Sequence, residues 1–375
     1  MKNPFTIIKA HGETFCNRQA EKEELRRYIE NGQNVLLYAK RRYGKSSLVK
    51  ETLSEFADRK DMITISLEIF KVSNSNDLVR VFATEIADTI SKKAVDKLSA
   101  IEKLKSFLSR VNLQVGVSQD GFTFSVKLDP AAPFTALFDD VLAALYSYVT
   151  AHNLRVLIAL DEFQEITELP DSKYIEGAIR QYMQENPRVN YIFVGSKRRI
   201  LLDMFSGKSR PFYKSVFTMT LGEIGAEHFV PFIRSKFEAT GKVCSEEMAL
   251  KIFNAARAYP YYVQRLSYIV WELVDSTVTA EDVDQAFKHM LDMEAADYES
   301  IWEGLTISQK TLIKALAENP TAMPYSKAFL LPSGLAQSSA QKAMKGLLSK
   351  DVIEKDSGVF KLTDPIFGQW LVTRS

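Results

Sequence analysis

Two cysteines in 375 residues, Cys16 and Cys244, are too few for a disulfide framework. Free thiols in a reducing compartment are the expectation. Four dispersed histidines, His11, His152, His228 and His289, offer no zinc-ligand spacing. No run of about 18 residues is apolar and uncharged, so no membrane span is expected. The start, Met1–Ile8, lacks the apolar core of a secretory leader. A cytoplasmic location follows as an expectation. Charge of one sign is also scarce: 48 basic and 47 acidic residues leave +1. That excludes whole-molecule attraction to nucleic acid or membrane and leaves only a local patch. With 16 glycines and 12 prolines scattered throughout, the chain is neither collagenous nor low in complexity. What is present, 46% hydrophobic and 25% charged residues, has the composition of a folded chain rather than a disordered one. The length predicts two or three domains.

Periodicity sets out their order. A helix is predicted from Asn17, as cap, to Asn31, with Gly32 as stop. The apolar run Val35-Leu36-Leu37-Tyr38 is a strand, Ser46 to Asp58 a helix, and Met62 to Phe70 a second strand. This βαβ beginning predicts a parallel sheet. Residues 76–110 read as helical. The alternating runs Leu113–Val117 and Phe122–Val126 flank Gln119-Asp120-Gly121 and predict an inserted hairpin at about 111–128. An apolar helix, Phe134 to His152, precedes the buried strand Arg155 to Leu160. A helix at Tyr174–Glu185 and strands at Tyr191–Val194 and Phe217–Leu221 complete the α/β region. Gly225 to Met293 is all helix, with Ser245 and the Thr279/Asp282 pair as N-terminal caps. Thr306 with Gln309 opens a last region of three helices and a hairpin turning at Asp356-Ser357-Gly358, a winged-helix pattern. The expected divisions are 1–222, 223–300 and 301–375.

The strongest chemical signal is Ala39-Lys40-Arg41-Arg42-Tyr43-Gly44-Lys45-Ser46-Ser47. It matches the phosphate-binding loop G-x-x-x-x-G-K-[ST] except that Ala39 replaces the first glycine. A strand precedes it and an amphipathic helix follows. Backbone N–H groups at such a helix start point at phosphate, and the helix dipole favours the negative charge. Lys45 is then the cation for the β- and γ-phosphates, and Ser46 a hydroxyl ligand for Mg²⁺. Arg41, Arg42, Tyr43, Gly44 and Ser47 complete the binding loop. The alternative is a basic loop that merely contains Gly-Lys-Ser. If position 39 needs a positive φ, Ala39 costs about 1 kcal/mol of strain. A second signal is the buried strand ending in Asp161-Glu162. Asp161 is the candidate metal ligand and Glu162 the candidate that polarises the attacking water, at the strand end where α/β sheets place ligands.

These segments and four others resemble the archaeal-type ATPase family, a branch of the P-loop ATPases akin to AAA+ and STAND proteins. Phe15, Arg18, Glu24 and Leu25 are similar to its opening motif, and Arg41-Arg42-Tyr43-Gly44-Lys45-Ser46 to its phosphate loop, with Lys40 where proline is usual. Asp161-Glu162-Phe163-Gln164, Val194-Gly195-Ser196, Tyr259-Pro260-Tyr261-Tyr262-Val263-Gln264 and Asp364-Pro365-Ile366-Phe367 with Trp370-Leu371 follow in the family's order. The resemblance implies a P-loop α/β core with a parallel, AAA+-like sheet, an α-helical lid and a C-terminal winged helix. It implies ATP or ADP with Mg²⁺ as ligands. It places Ser196 at the position that senses the γ-phosphate, Pro260 near the adenine, and one of Arg198, Arg199 and Arg210 as a candidate arginine finger. Each has a plainer alternative: a strand-end serine, a helix-start proline, a solvated basic loop.

The expected activity is ATP binding, with hydrolysis driving a conformational switch. A switch that scarcely hydrolyses and a DNA-binding regulator are the alternatives. Residues 302–375 carry nine basic and six acidic side chains, net +3, and the third helix offers Gln341, Lys342 and Lys345 outward. Duplex DNA, a protein partner and self-association are all compatible with that modest charge.

Overall fold

A computed structural model of the chain describes residues 2–8, 10–94, 96–118 and 121–373. The chain divides into two units, Lys9–Gly222, and Met1–Ile8 together with Glu223–Ser375.

The first unit is the α/β region. Its elements in order are α1 (Gln19–Glu30), β1 (Val35–Tyr38), α2 (Lys45–Ser54), β2 (Met62–Glu68), α3 (Ser75–Lys93), α4 (Lys97–Phe107), β3 (Val111–Ser118), β4 (Gly121–Leu128), α5 (Phe134–Ala151), β5 (Arg155–Asp161), α6 (Ser172–Glu185), β6 (Val189–Gly195), α7 (Arg198–Ser206) and β7 (Phe217–Thr220). Five strands form one parallel sheet in the order β2-β5-β6-β1-β7. Strand β1 is central, with β6 and β7 paired on either side, and every residue of it is buried, as in a parallel sheet covered on both faces. Alternate residues of β2 and β5, such as Ile63, Ile65, Val156 and Ile158, join Phe82 of α3 and Phe138 and Leu142 of α5 in one core. Each such side chain contributes about 1.5–3 kcal/mol on burial.

Two expectations change in this unit. Asn17 does not cap α1. The N-cap position is Arg18, at φ 74°, and Asn17 is itself left-handed at φ 55°. The segment is shaped by what the Arg18 side chain binds, not by a local cap. The helical stretch 76–110 is two helices, because Ala94 turns to extended backbone and Asp96 starts α4 by accepting from the Ser99 N–H. The expected hairpin forms, with Val111 opposite Leu128 and Val117 opposite Phe122, while Gln119 and Asp120 of its turn lie outside the described residues. Its base is anchored by the buried Asp140 carboxylate, which accepts from the N–H groups of Ser109, Arg110 and Val111.

The second unit comprises α8 (Ala226–Glu238), α9 (Glu246–Ala255), α10 (Pro260–Leu273), α11 (Ala280–Glu303), α12 (Ile307–Glu318), α13 (Lys327–Leu330), α14 (Gln337–Ser349), β8 (Ile353–Asp356), β9 (Val359–Leu362) and α15 (Pro365–Thr373). Ser245, Thr279 and Thr306 cap α9, α11 and α12, the last two with reciprocal capping boxes. Helix α11 runs without a break through residue 300, where a boundary is expected. Two of the family-like segments meet here. The Tyr262 hydroxyl donates to the Asp364 carboxylate, and Tyr298 does so at 3.4 Å. The other Asp364 oxygen accepts from the N–H groups of Ile366 and Phe367 and so holds the start of α15. Residues 3–6 dock on α10, where the Thr6 N–H donates to buried Gln264. Among the described residues, no helix is long and apolar enough to cross a membrane.

Candidate nucleotide site

Strand β1 delivers the chain to the sheet's carboxyl edge, and residues 39–44 turn it into α2. The turn needs left-handed backbone at two places, Arg42 (φ 66°) and Gly44 (φ 86°). Gly44 is the N-cap of α2, and its freedom from a Cβ removes the strain a larger residue carries there. Ala39 is not among the positive-φ residues. The substitution that departs from the phosphate-loop pattern therefore costs no left-handed strain. Lys45 opens α2 with only 4% of its surface exposed, and its ammonium donates to the carbonyls of Ala39 (3.1 Å) and Lys40 (3.0 Å). Burial pulls its pKa down, while the charges of Glu162 and Asp161 push it up and Arg41 adds to the fall. The buried lysine places one cation at the turn, the charge that a phosphate needs.

The sheet order brings the acidic residues alongside. β5 pairs with β6, and β6 with β1, so three adjacent parallel strands end at one edge. Asp161 ends β5 and lines a cavity of about 350 Å³ with Ser46 and Lys50 of α2 and Thr64 and Ser66 of β2. Ser46 and Asp161 give this cavity a hydroxyl and a carboxylate, oxygen donors of the kind Mg²⁺ takes. Glu162 follows at φ 52°. Its Oε2 accepts from the Ser196 hydroxyl, just beyond β6, at 2.9 Å, and from the Gln164 amide at 2.6 Å. Gln164, 1% exposed, also donates to Glu165 at 3.0 Å, and Glu165 pairs with Lys197 at 2.9 Å. Gly195 makes room for this clamp. A Cβ there would lie 2.0 Å from Gln164 Oε1 and 2.8 Å from Leu201 Cδ1.

Residues 296–373 match a family model described as a probable winged helix domain. Comparison with curated protein sequences gives no match. Among solved structures, the Walker-type ATPase of Pyrococcus abyssi superposes with a TM-score of 0.66 at 16% identity, over 97% of this chain and 98% of that one. The Aeropyrum pernix ORC2 protein in its ADP form gives 0.57 at 14% identity, over 97% of each chain. The ORC1 protein of the same organism, in complex with DNA, gives 0.54 at 12% identity, over 96% and 94%. The chain has the fold of the archaeal Walker-type ATPases. In this Walker-type fold the C-terminal α12–α15 region is a winged helix.

Of the residues marked in the sequence, Arg41, Arg42, Tyr43, Gly44, Lys45, Ser46 and Ser47 share the β1–α2 turn, and Asp161, Glu162 and Ser196 stand at the neighbouring strand ends. Pro260 belongs to the other unit, at the first turn of α10, where a missing N–H is tolerated. The arginines divide. Arg198 stacks over the Tyr38 ring at 5.6 Å, and Arg199 is exposed. Arg210 is taken up by Glu176 of α6, at 2.9 Å. Two roles escaped the sequence reading although their residues lay inside quoted motifs: Gln164 as the clamp on Glu162, and Arg18 as a partner of the phosphate loop. Arg18, 3% exposed, donates to the carbonyl of Tyr43 at 3.3 Å.

Glu176 has no exposed surface, and burial raises its pKa to about 7, against the pull of Arg210 and with the help of Asp203. A carboxyl raised from 4.5 in the fold binds more protons folded than unfolded between these values. Its favourable contribution is therefore full below pH 4.5, is lost as pH rises, and is gone above about 7. The loss is at most about 3 kcal/mol. Thermal melts from pH 5 to 8 should show wild type losing stability across this window. Glu176→Gln should lack that component, and an unchanged slope in the variant contradicts the assignment.

Proposed function

We propose that this chain is a Mg²⁺-dependent ATP-binding protein and ATPase whose nucleotide state drives a conformational switch between a lid and the α/β core. The observation that carries it is the buried Lys45 ammonium inside the turn at the N-terminus of α2, with the next residue, Ser46, lining one cavity with Asp161. Backbone N–H groups of residues 42–47 cradle the phosphates, and Lys45 follows the charge on the β- and γ-phosphates. Ser46 and Asp161 are the residues that would hold Mg²⁺, which would supply charge neutralisation to the phosphate oxygens. Glu162 orients the water that attacks the γ-phosphoryl group, giving ADP and phosphate. Ser196 and Gln164 fix the Glu162 carboxylate for that task.

Steady-state ATP turnover with and without Mg²⁺ tests the reading. Turnover that needs the metal supports an ATPase. Tight binding with no turnover supports the non-hydrolysing switch, in which the two donors on one Glu162 oxygen keep the carboxylate from water.

A second reading, DNA binding through the winged helix, has one observation in its favour. Gln341, Lys342 and Lys345 are exposed on α14 while Ala343, Met344 and Leu347 are buried. Salt-dependent binding of a DNA duplex by the full chain would support it, and salt-independent or absent binding would count against it.

A further inference from the structure

One buried side chain joins the phosphate loop to the segment by which the chain leaves the α/β unit. Arg18 stands at the start of α1 in a left-handed conformation beside a left-handed Asn17. Two successive non-glycine residues in that region persist only where surrounding contacts fix them. Here the contacts are the guanidinium's. Nη1 is held by Glu21 at 2.7 Å. Nη2 donates to two carbonyls from distant segments, Gly222 at 2.7 Å and Tyr43 at 3.3 Å. Gly222 is the last residue of the unit, and Glu223 begins the next. Tyr43 precedes the Gly44 N-cap of α2.

The Tyr43–Gly44 peptide is planar and trans, so its C=O and N–H point in opposite directions. Drawing the Tyr43 oxygen toward Arg18 aims the Gly44 N–H away from Arg18. One rigid fork, fixed on its other side by Glu21, thus sets a loop amide and also holds the exit segment. Nη2 has one hydrogen for each carbonyl, so a shift of the Tyr43 peptide changes the geometry left for Gly222.

We infer that Arg18 is a positioning residue that couples the phosphate loop to the exit segment at Gly222, so that nucleotide occupancy of the loop is transmitted toward the second unit. The nucleotide half of this inference rests on the proposed function; the mechanical half does not.

Amide hydrogen exchange on the full chain tests it, comparing wild type, Arg18→Ala and Arg18→Lys, with and without Mg-ADP. Peptides covering 39–47 and 216–224 are the readouts, and 156–160 of β5 is the core reference. Without nucleotide, Arg18→Ala should speed exchange in both readout segments by about tenfold and leave β5 unchanged. Mg-ADP should slow both segments in wild type but only 39–47 in Arg18→Ala, with ADP affinity down about fivefold to tenfold. If β5 also loosens in Arg18→Ala, Arg18→Lys gives the decision. It keeps the charge opposite Glu21 but cannot present the fork, and it should uncouple the segments in the same sense. Exchange that rises in only one segment, or ADP protection of 216–224 that survives in both variants, overturns the coupling. A wild type that binds no ADP overturns the nucleotide reading and the transmission with it, and the nucleotide-free comparison then decides on the link alone.

Discussion

Glu162→Gln should reduce ATP turnover by about 10²- to 10⁴-fold while nucleotide affinity stays within about twofold. The substitution suits the question because of how Glu162 is held. Its Oε2 accepts from Ser196 and from Gln164, and an amide oxygen can accept both. The side chain therefore keeps its place and loses only its charge and basicity. A fall in kcat without a rise in KM assigns the residue to the water and not to nucleotide binding. A variant that turns over ATP at the wild-type rate removes Glu162 from the chemistry and leaves its network a structural one. Ser196→Ala and Gln164→Ala should give smaller losses, since each leaves the carboxylate one of its two donors.

The second large effect is expected on binding. Lys45→Ala should weaken ATP and ADP by about 10- to 100-fold, the range for a charge-assisted hydrogen bond made in a desolvated place. Stability should move far less. The ammonium binds two carbonyls of its own loop, but its burial carries a desolvation cost that the alanine variant escapes. Nucleotide titration and a thermal melt on the same sample separate the two effects. Lost binding with an intact melt is the expected pair. Lost binding with a collapsed melt would instead make Lys45 a structural residue of the loop.

What could be read in advance was local. The strand, the basic turn and the helix that form the phosphate loop are contiguous between Val35 and Ser54, so period and spacing reveal them. Asp161-Glu162 at the end of an apolar strand was legible for the same reason. Ser196 reaches Glu162 only because β6 lies beside β5, an order that periodicity does not encode. Gln164 and Arg18 could be quoted as motif residues but not given work. The partners of Gln164 are fixed by the turn geometry after β5, and those of Arg18 come from Tyr43 and Gly222. The same long-range hold explains why the Asn17 cap fails. Ala39 shows the reverse case: a residue that departs from the motif, yet whose backbone carries none of the expected strain. Arg210, a candidate finger by sequence, is occupied by a buried glutamate more than thirty positions away that nothing in its own loop announces.

The most direct measurement is a calorimetric titration of the full chain with Mg-ATP, repeated with Mg-ADP as competitor. Saturable binding of one nucleotide per chain, displaced by ADP and weakened in Lys45→Ala, is the predicted result. A flat titration of a chain that melts cooperatively would contradict the assignment of the β1–α2 turn as a phosphate site.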